Sequence, residues 1–308
     1  MRIANFIIAG TEKAGTTSVF TYLSEHPEVC AASRKETDFF CDHWKTDRNR
    51  SLREYAGYFS HCPADVPIVM EASPGYLGDA ELVVPRIAQI LKDVRILFIL
   101  RDPVERIYSS YNFHVGRLDI DASVDFATYI SRCKAYARKE QTPEELGMDE
   151  WYLRVLEFGC YSRYLRLYLE AFPSHRIKVM FFEQLKTDTA TFMTELSRFL
   201  EIDSDFWSSY RFRKSNVTFF AGNETLHRMA VMLNDKAEPL LRSNPAAKRF
   251  LVSIYKKINQ RREGYDAMPI AVENELRQFY RPFNTELSGM IDIDGAIPWI
   301  AQSLAESA

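Results

Sequence analysis

Short continuous apolar runs alternate with segments of helical spacing along much of the chain. Runs at 3–9 and 96–100, and two further runs that begin at Ile68 and Arg176, predict buried strands. An unbroken run such as 96–100 is typical of a central parallel strand that is covered on both faces. Elsewhere apolar residues recur three and four positions apart, as at 189–200, which predicts helices. The pattern therefore predicts an α/β fold with a central, mostly parallel sheet flanked by helices.

The sequence contains no clear domain boundary. Residues 119–148 are charged and polar, with weak helical spacing and an acidic loop at 142–145. Because the sequence has no internal repeat, low-complexity tract or linker, we expect one domain over 1–308. The sheet and the binding site would lie mainly in 1–220, and 221–308 would form a helical C-terminal part.

The turn after the first strand has the composition of an anion-binding loop. Gly10 is followed by small residues, one lysine (Lys13) and the hydroxyl triplet Thr16-Thr17-Ser18, after which helical spacing resumes. A strand, a tight loop and a helix N-terminus direct several backbone N–H groups and the positive end of a helix dipole toward one point. Gly10 and Gly15 have the spacing of the nucleotide-binding P-loop, but Thr16 stands where that loop has lysine. The position of Lys13 indicates an anion chain shorter than that of ATP.

A second candidate anion site follows the strand at 96–100. This strand ends in Arg101-Asp102-Pro103, and Pro103 suits the first position of a helix. Ligands of open α/β sheets lie beyond the carboxyl ends of the strands, and the guanidinium fork of arginine binds phosphate with two hydrogen bonds. Across a turn and two helical turns, Arg101 and Ser109 are expected to reach the same oxyanion.

These segments resemble those of sulfotransferases that use 3′-phosphoadenosine 5′-phosphosulfate (PAPS). The stretch from Lys13 to Ser18 resembles the loop that binds the 5′-phosphosulfate, and Arg101 with Ser109 resembles the 3′-phosphate motif. Arg213-Lys214 resembles the loop that closes over the 3′-phosphate, although Ser215 stands where the family usually has glycine. The resemblance implies a P-loop-like three-layer sandwich, PAPS as co-substrate and adenosine 3′,5′-bisphosphate as product.

The candidate general base is Glu36. It lies in a Glu-x-x-Phe-Phe element that resembles the one in glycan-type sulfotransferases, where the glutamate takes this role. A carboxylate within hydrogen-bond reach of an alcohol can accept its proton as the new bond forms. Glu71, at the carboxyl end of another predicted strand, remains the alternative base. Ala72 stands where relatives have lysine, so the role of that cation is not transferred to another residue.

Charge, hydrophobicity and cysteine content limit the binding partners and the cellular compartment that we expect. The net charge of −3 gives no basic field for nucleic acid, and no apolar run reaches the roughly 20 residues needed to span a bilayer. Without a signal peptide, a cytoplasmic protein with no membrane partner is expected. The five cysteines are scattered and never form a Cys-x-x-Cys pair, which favours reduced thiols over a disulfide scaffold or a zinc site.

The sequence therefore predicts transfer of a sulfuryl group from PAPS to a hydroxyl or amine of a carbohydrate or small-molecule acceptor. A P-loop kinase or NTPase, and a non-catalytic nucleotide-binding relative, remain the alternatives. No metal is expected, and the oligomeric state is unknown. Glu36 and Lys13 are the predicted catalytic residues, and the predicted nucleotide-binding residues are Lys13, Ala14, Gly15, Thr16, Thr17, Ser18, Arg101, Ser109, Arg213 and Lys214.

Overall fold

The computed structural model describes residues 2–41, 52–213, 267–292 and 297–306. Its sheet has five strands in the order β2-β3-β1-β4-β5, and every pair of neighbours is parallel. The strands are β1 (Phe6–Gly10), β2 (Val29–Ala31), β3 (Ile68–Ala72), β4 (Arg95–Leu100) and β5 (Ile177–Phe181).

Four of these strands form where continuous apolar runs predict them. In β1 and β3 every residue is buried, as expected of strands with helices on both faces. The edge strand β2 was not predicted, because three residues give too short a pattern to recognise. The predicted α/β sheet is confirmed, and among the described strands it is wholly parallel.

The helices lie in the connections between strands and after the last strand. The bounds of the larger ones are α1 (Thr16–Ser24), α3 (Ala80–Ile90), α4 (Pro103–Arg117), α5 (Phe126–Ala137), α8 (Tyr161–Ala171), α10 (Thr189–Leu200), α12 (Ile270–Ser288) and α13 (Pro298–Ala305). Shorter helices are α2 (Leu52–Gly57), α6 (Pro143–Leu146), α7 (Glu150–Leu153), α9 (Phe182–Thr187) and α11 (Phe206–Ser209).

Two hydrophobic cores cover the two faces of the sheet. Alternate residues of β1 point to opposite faces, so Phe6 and Ile8 join one core while Ile7 and Ala9 join the other. The first core includes apolar side chains from α1 and α10, and the second includes apolar side chains from α3, α8 and α13. The predicted three-layer sandwich is therefore confirmed.

The chain divides into two compact units. The first comprises Met1–Ile107, Arg154–Asn216 and Asn274–Ala308, and the second comprises Tyr108–Leu153 and Val217–Glu273. The sheet lies wholly in the first unit. The expected single domain over 1–308 stays a prediction. Much of the expected helical part at 221–308 lies outside the described residues.

Two local expectations were wrong. The acidic segment predicted as a loop forms α6, because Thr142 accepts a hydrogen bond from the Glu145 N–H and the Glu145 carboxylate accepts one from the Thr142 N–H.

The cysteines are not all reduced, since Cys30 and Cys62 form a disulfide with their Cα atoms 5.7 Å apart. This pairing could not be predicted from the spacing of the cysteines, because the two residues are 32 positions apart and become neighbours only in the folded chain. The three free cysteines are all buried: Cys41, Cys133 and Cys160.

Candidate functional site

The predicted site residues of the first unit follow the carboxyl ends of its strands. Lys13 follows β1, Glu36 follows β2 and Arg101 directly follows β4. All strands are parallel, so these ends lie at one edge of the sheet. The chain continues from β1 toward β2 on one side and reaches β4 on the other side of β1. Reversals of this kind create the ligand crevice of open α/β sheets.

The loop between β1 and α1 leaves the start of the helix open. Lys13 and Gly15 adopt left-handed backbone conformations, with φ of 64° and 81°. Gly15 is the N-cap residue of α1 and offers no side-chain cap, and no acidic residue lies in the first turn. Since the first N–H groups of a helix have no partner within it, those of residues 16–18 are available for an anion.

Close packing explains the glycine at position 15. A Cβ atom there would lie 2.6 Å from Leu185 Cδ2 and 3.2 Å from Phe182 Cδ2, both on α9. The positive φ independently disfavours any other residue. The loop is therefore shaped by packing against the helix that follows β5, a contact between distant parts of the chain.

Arg101 connects the two predicted anion motifs. Its Nη1 donates a hydrogen bond to the Lys13 carbonyl at 3.0 Å, and its guanidinium lies 4.9 Å from the centroid of the Phe182 ring. Nη2 lies 3.7 Å from the Glu105 carboxylate. The strand end that bears Arg101 and the loop that bears Lys13 are thus in direct contact.

Both cations are partly removed from water. Burial lowers the pKa of Lys13 and the nearby Arg101 charge lowers it further, while Glu12 acts in the opposite direction. Burial also lowers the pKa of Arg101, against the influence of the neighbouring acids. Placing two desolvated cations together is unfavourable in isolation, and an anionic ligand would relieve that cost.

The backbone at the end of β4 is held from several directions. Tyr161, which is fully buried, donates a hydrogen bond from its hydroxyl to the Arg101 carbonyl at 2.8 Å. The Asp102 N–H donates to Glu183 Oε1 at 3.1 Å, and Arg277 on α12 contacts Asp102 Oδ2 at 3.2 Å. These contacts fix the direction in which Arg101 leaves the strand.

Glu36 lies in a loop with an unusual backbone. Its φ is 60° and that of Asp38 is 51°, conformations that cost about 1–3 kcal/mol each outside glycine. The Glu36 N–H donates to the Ala72 carbonyl at 2.8 Å, and the Glu36 carbonyl accepts two hydrogen bonds from Arg34. Its carboxylate pairs with Lys35 and is 55% exposed, so a substrate can reach it.

Glu71, the alternative base, is instead fully buried in the middle of a hydroxyl cluster. Thr37, Tyr55, Ser73 and Tyr76 all donate hydrogen bonds to its carboxylate. Burial raises the pKa of Glu71, and the four hydrogen bonds lower it in part. The sequence did not reveal this cluster, because its members come from separate segments.

The structure says less about the other three residues that are predicted to bind the nucleotide. Ser109 is half-buried on α4 and belongs to the second unit, so its role beside Arg101 stays a prediction. Arg213 is exposed, and its carbonyl accepts a hydrogen bond from Tyr22 of α1 at 2.8 Å. Lys214 lies outside the described residues.

The described residues suit a phosphorylated or sulfated ligand through an open helix N-terminus and two desolvated cations. Within the same part of the chain, the one cluster of three potential metal ligands is Cys30, His61 and Cys62. Its two sulfurs are bonded to each other. None of the helices described is both long and apolar enough to cross a membrane.

Comparison with known proteins identifies the family. A family model described as "Sulfotransferase domain" matches residues 4–228. Human bifunctional heparan sulfate N-deacetylase/N-sulfotransferase 3 is 28% identical over 208 residues, which cover 65% of this chain and 22% of the relative. The membrane-associated sulfotransferase kil1 of Dictyostelium discoideum is 33% identical over 115 residues, covering 37% of this chain and 23% of the relative. This chain therefore matches about a fifth of the length of these relatives.

A solved structure supports the fold. The sulfotransferase from Alicyclobacillus acidocaldarius superposes with a TM-score of 0.56 at 24% identity, covering 79% of this chain and 96% of that one. At this level of identity the likeness concerns the fold. The family model covers well over half of the residues, and the chain belongs to the sulfotransferase domain family.

Proposed function

We propose that this protein transfers a sulfuryl group from PAPS to a hydroxyl or amine of a carbohydrate or small-molecule acceptor. The observation that carries the proposal is the hydrogen bond from Arg101 to the Lys13 carbonyl, since it joins the two predicted anion sites. Membership of the sulfotransferase family supports the same reaction. PAPS has an anionic group at each end of its ribose, which matches two adjacent cationic sites.

The nucleotide is held in two places. The backbone N–H groups of residues 14–18 and the hydroxyls of Thr16, Thr17 and Ser18 bind the 5′-phosphate. Arg101 binds the 3′-phosphate, with Ser109 as its second ligand. Arg213 and Lys214 close over the same phosphate. The helix N-terminus thus binds the 5′ end of the nucleotide, where the reaction takes place, and the guanidinium group binds the 3′-phosphate, which does not react.

In the reaction, Glu36 accepts the proton of the acceptor hydroxyl as its oxygen attacks sulfur. The bond between sulfur and the 5′-phosphate oxygen breaks, and adenosine 3′,5′-bisphosphate leaves with the bonding electron pair. Lys13 stabilises the negative charge that develops on this bridging oxygen, as cations do in phosphoryl transfer. Glu71 does not suit the role of base, because an acceptor would have to displace one of its four buried hydroxyl partners.

The relatives support a glycan acceptor. One human relative is named as a bifunctional heparan sulfate N-deacetylase/N-sulfotransferase, and heparan sulfate is a carbohydrate. An amine or hydroxyl of a sugar is therefore the first acceptor class to test. A cytoplasmic location also stays a prediction, and the disulfide between Cys30 and Cys62 weighs against it, since such bonds persist mainly in oxidising compartments.

The function is tested with isotopically labelled PAPS and a panel of acceptors, including amino sugars, glycans and phenols. Mass spectrometry should show an acceptor that has gained one SO₃. Glu36→Gln should slow turnover by roughly 10²–10⁴-fold and leave the affinity for adenosine 3′,5′-bisphosphate unchanged. Glu54→Gln on α2, which alters an exposed glutamate, is the matched control.

Two outcomes would replace the proposal. Binding of ATP that requires magnesium, with phosphate transfer, would indicate a P-loop kinase or NTPase. Binding of adenosine 3′,5′-bisphosphate without transfer to any acceptor, and with no effect of Glu36→Gln, would indicate a non-catalytic relative.

A further inference from the structure

The buried Glu71 carboxylate lies beneath the loop that carries Glu36. Glu71 is on β3 and has no exposed surface. Its Oε1 accepts hydrogen bonds from the hydroxyls of Thr37, Ser73 (3.0 Å) and Tyr76 (2.6 Å), and its Oε2 accepts one from Tyr55. Thr37 directly follows Glu36 in the sequence.

The hydroxyls bound to Oε1 also bind the loop backbone. The Asp38 N–H donates to Ser73 Oγ at 3.1 Å, and the Phe40 N–H donates to the Tyr76 hydroxyl at 3.2 Å. A weaker contact joins the Phe39 N–H to Thr37 Oγ1 at 3.4 Å. Consecutive N–H groups of the loop are thus connected to one carboxylate, each through a hydroxyl group.

The hydrogen bonds of this network all run in one direction, from the loop N–H groups through the hydroxyls to Glu71. Each of these hydroxyls accepts from the loop N–H through a lone pair and uses its one proton to donate to Glu71. An ionised carboxylate can accept from all of its hydroxyl partners at once. Glu71 is therefore the group that orients these hydroxyls to receive the loop, and hydrogen bonds in a fully satisfied buried network are strong.

Tyr55 provides a comparison within the same cluster. It is as fully buried as Tyr76 and also donates to Glu71, but within the described residues no loop N–H donates to its hydroxyl. Its ring stacks on Phe39 with centroids 4.5 Å apart, a contact that phenylalanine would retain. Tyr55 and Tyr76 therefore differ in whether the hydroxyl reaches the loop.

We propose that Glu71 is a positioning residue that holds the Glu36 loop in its reactive conformation through the hydroxyls of Thr37, Ser73 and Tyr76. The loop requires such support, because Glu36 and Asp38 both have positive φ and would relax if its N–H groups lost their partners. The catalytic part of this inference rests on the proposed function of Glu36.

The test compares Tyr76→Phe with Tyr55→Phe in the whole 308-residue chain. Each substitution removes one hydroxyl from the same carboxylate, and only Tyr76→Phe releases a loop N–H. Tyr76→Phe should lower kcat by roughly 10-fold or more relative to Tyr55→Phe, because small displacements of a reacting group are costly. KM for PAPS should not change in either variant. Ser73→Ala, which releases the Asp38 N–H, should behave like Tyr76→Phe.

Amide hydrogen exchange gives a readout that does not depend on activity. Peptides covering 37–41 should exchange faster in Tyr76→Phe than in Tyr55→Phe, while peptides covering β4 exchange equally. If the wild type transfers no sulfuryl group, the proposed function fails and the exchange comparison still tests the support of the loop. Equal exchange in the two variants, or equal kcat at equal thermal stability, would overturn the positioning role.

Discussion

Arg101 Nη1 donates a hydrogen bond to the backbone carbonyl of Lys13 at 3.0 Å. These residues are 88 positions apart, and each belongs to a separate motif that the sequence predicts for anion binding. Had they lain on different faces of the sheet, one adenosine-sized molecule could not have contacted both. Their contact places the two predicted anion motifs next to each other, as a single site for a bisphosphorylated nucleotide requires.

Glycine at position 15 is predicted to be required for both folding and binding. Gly15→Ala should lower the free energy of unfolding by about 2–4 kcal/mol, because it combines a left-handed φ with overpacking against Leu185 and Phe182. Affinity for adenosine 3′,5′-bisphosphate should also fall. Denaturant unfolding and calorimetry measure the two effects.

Gly147→Ala is the matched control for this substitution. Gly147 also has a positive φ of 61°, but nothing lies within 4 Å of the position of a new Cβ. Gly147→Ala should lower the free energy of unfolding by about 1–2 kcal/mol, the cost of the left-handed backbone alone, and should leave nucleotide affinity unchanged. Equal losses of stability and affinity in both variants would disprove the packing argument.

Nucleotide affinity is predicted to depend on pH through Lys13. Burial lowers the pKa of this lysine, so in the free protein it loses its proton at a lower pH than an ordinary lysine. A bound phosphate favours the protonated form. Affinity should therefore be constant at pH values below the lowered pKa and fall as pH rises through it, with proton uptake on binding.

Calorimetry from about pH 7 to pH 10 in buffers of different ionisation enthalpy measures this uptake. Lys13→Arg keeps its charge over that range, so its affinity should vary little with pH. The same pH dependence in wild type and variant would show that another group is responsible.

The disulfide is predicted to stabilise the segment that contains Glu36. Cys30 and Cys62 enclose this segment, and closing a loop of 32 residues is worth about 3–4 kcal/mol in the chain-entropy model. A reducing agent should lower the midpoint of thermal unfolding of the wild type and leave the Cys30→Ser/Cys62→Ser double variant unchanged. Five alkylated cysteines in the denatured, unreduced protein would contradict the pairing.

The free thiols provide a second readout of the same sample. Burial raises the pKa of Cys133 and Cys160, each to about 12, and also raises that of Cys41. Because thiolate is the reactive form, native protein should react slowly with iodoacetamide at all three positions. Rapid native alkylation at any of them would contradict its burial.

Local patterns were sufficient to predict four of the five described strands, all except the three-residue strand β2. The run at 96–100 became β4, the predicted helix at 189–200 became α10, and Pro103 begins α4. Burial on both faces of a parallel sheet leaves a continuous apolar run, and proline suits a first helical turn, so these signals lie within a few neighbouring residues.

Contacts between distant segments could not be predicted in this way. The cluster around Glu71 joins residues from three separate segments, and the packing of Gly15 depends on α9, which follows the last strand. The pairing of Cys30 with Cys62 depends on how the fold returns the chain to β2. Such features appear only after the sheet order is known.

The central claim is that Arg101 binds the 3′-phosphate of the same nucleotide whose 5′ end lies at Lys13. Calorimetry of the wild type and Arg101→Ala with adenosine 3′,5′-bisphosphate and with adenosine 5′-monophosphate tests it directly. Arg95→Lys, at the amino end of the same strand, is the control and should leave both affinities unchanged. The wild type should prefer the bisphosphate by roughly 10–100-fold, the value of a charged hydrogen-bonded contact, and Arg101→Ala should lose this preference. An undiminished preference in Arg101→Ala would contradict the account.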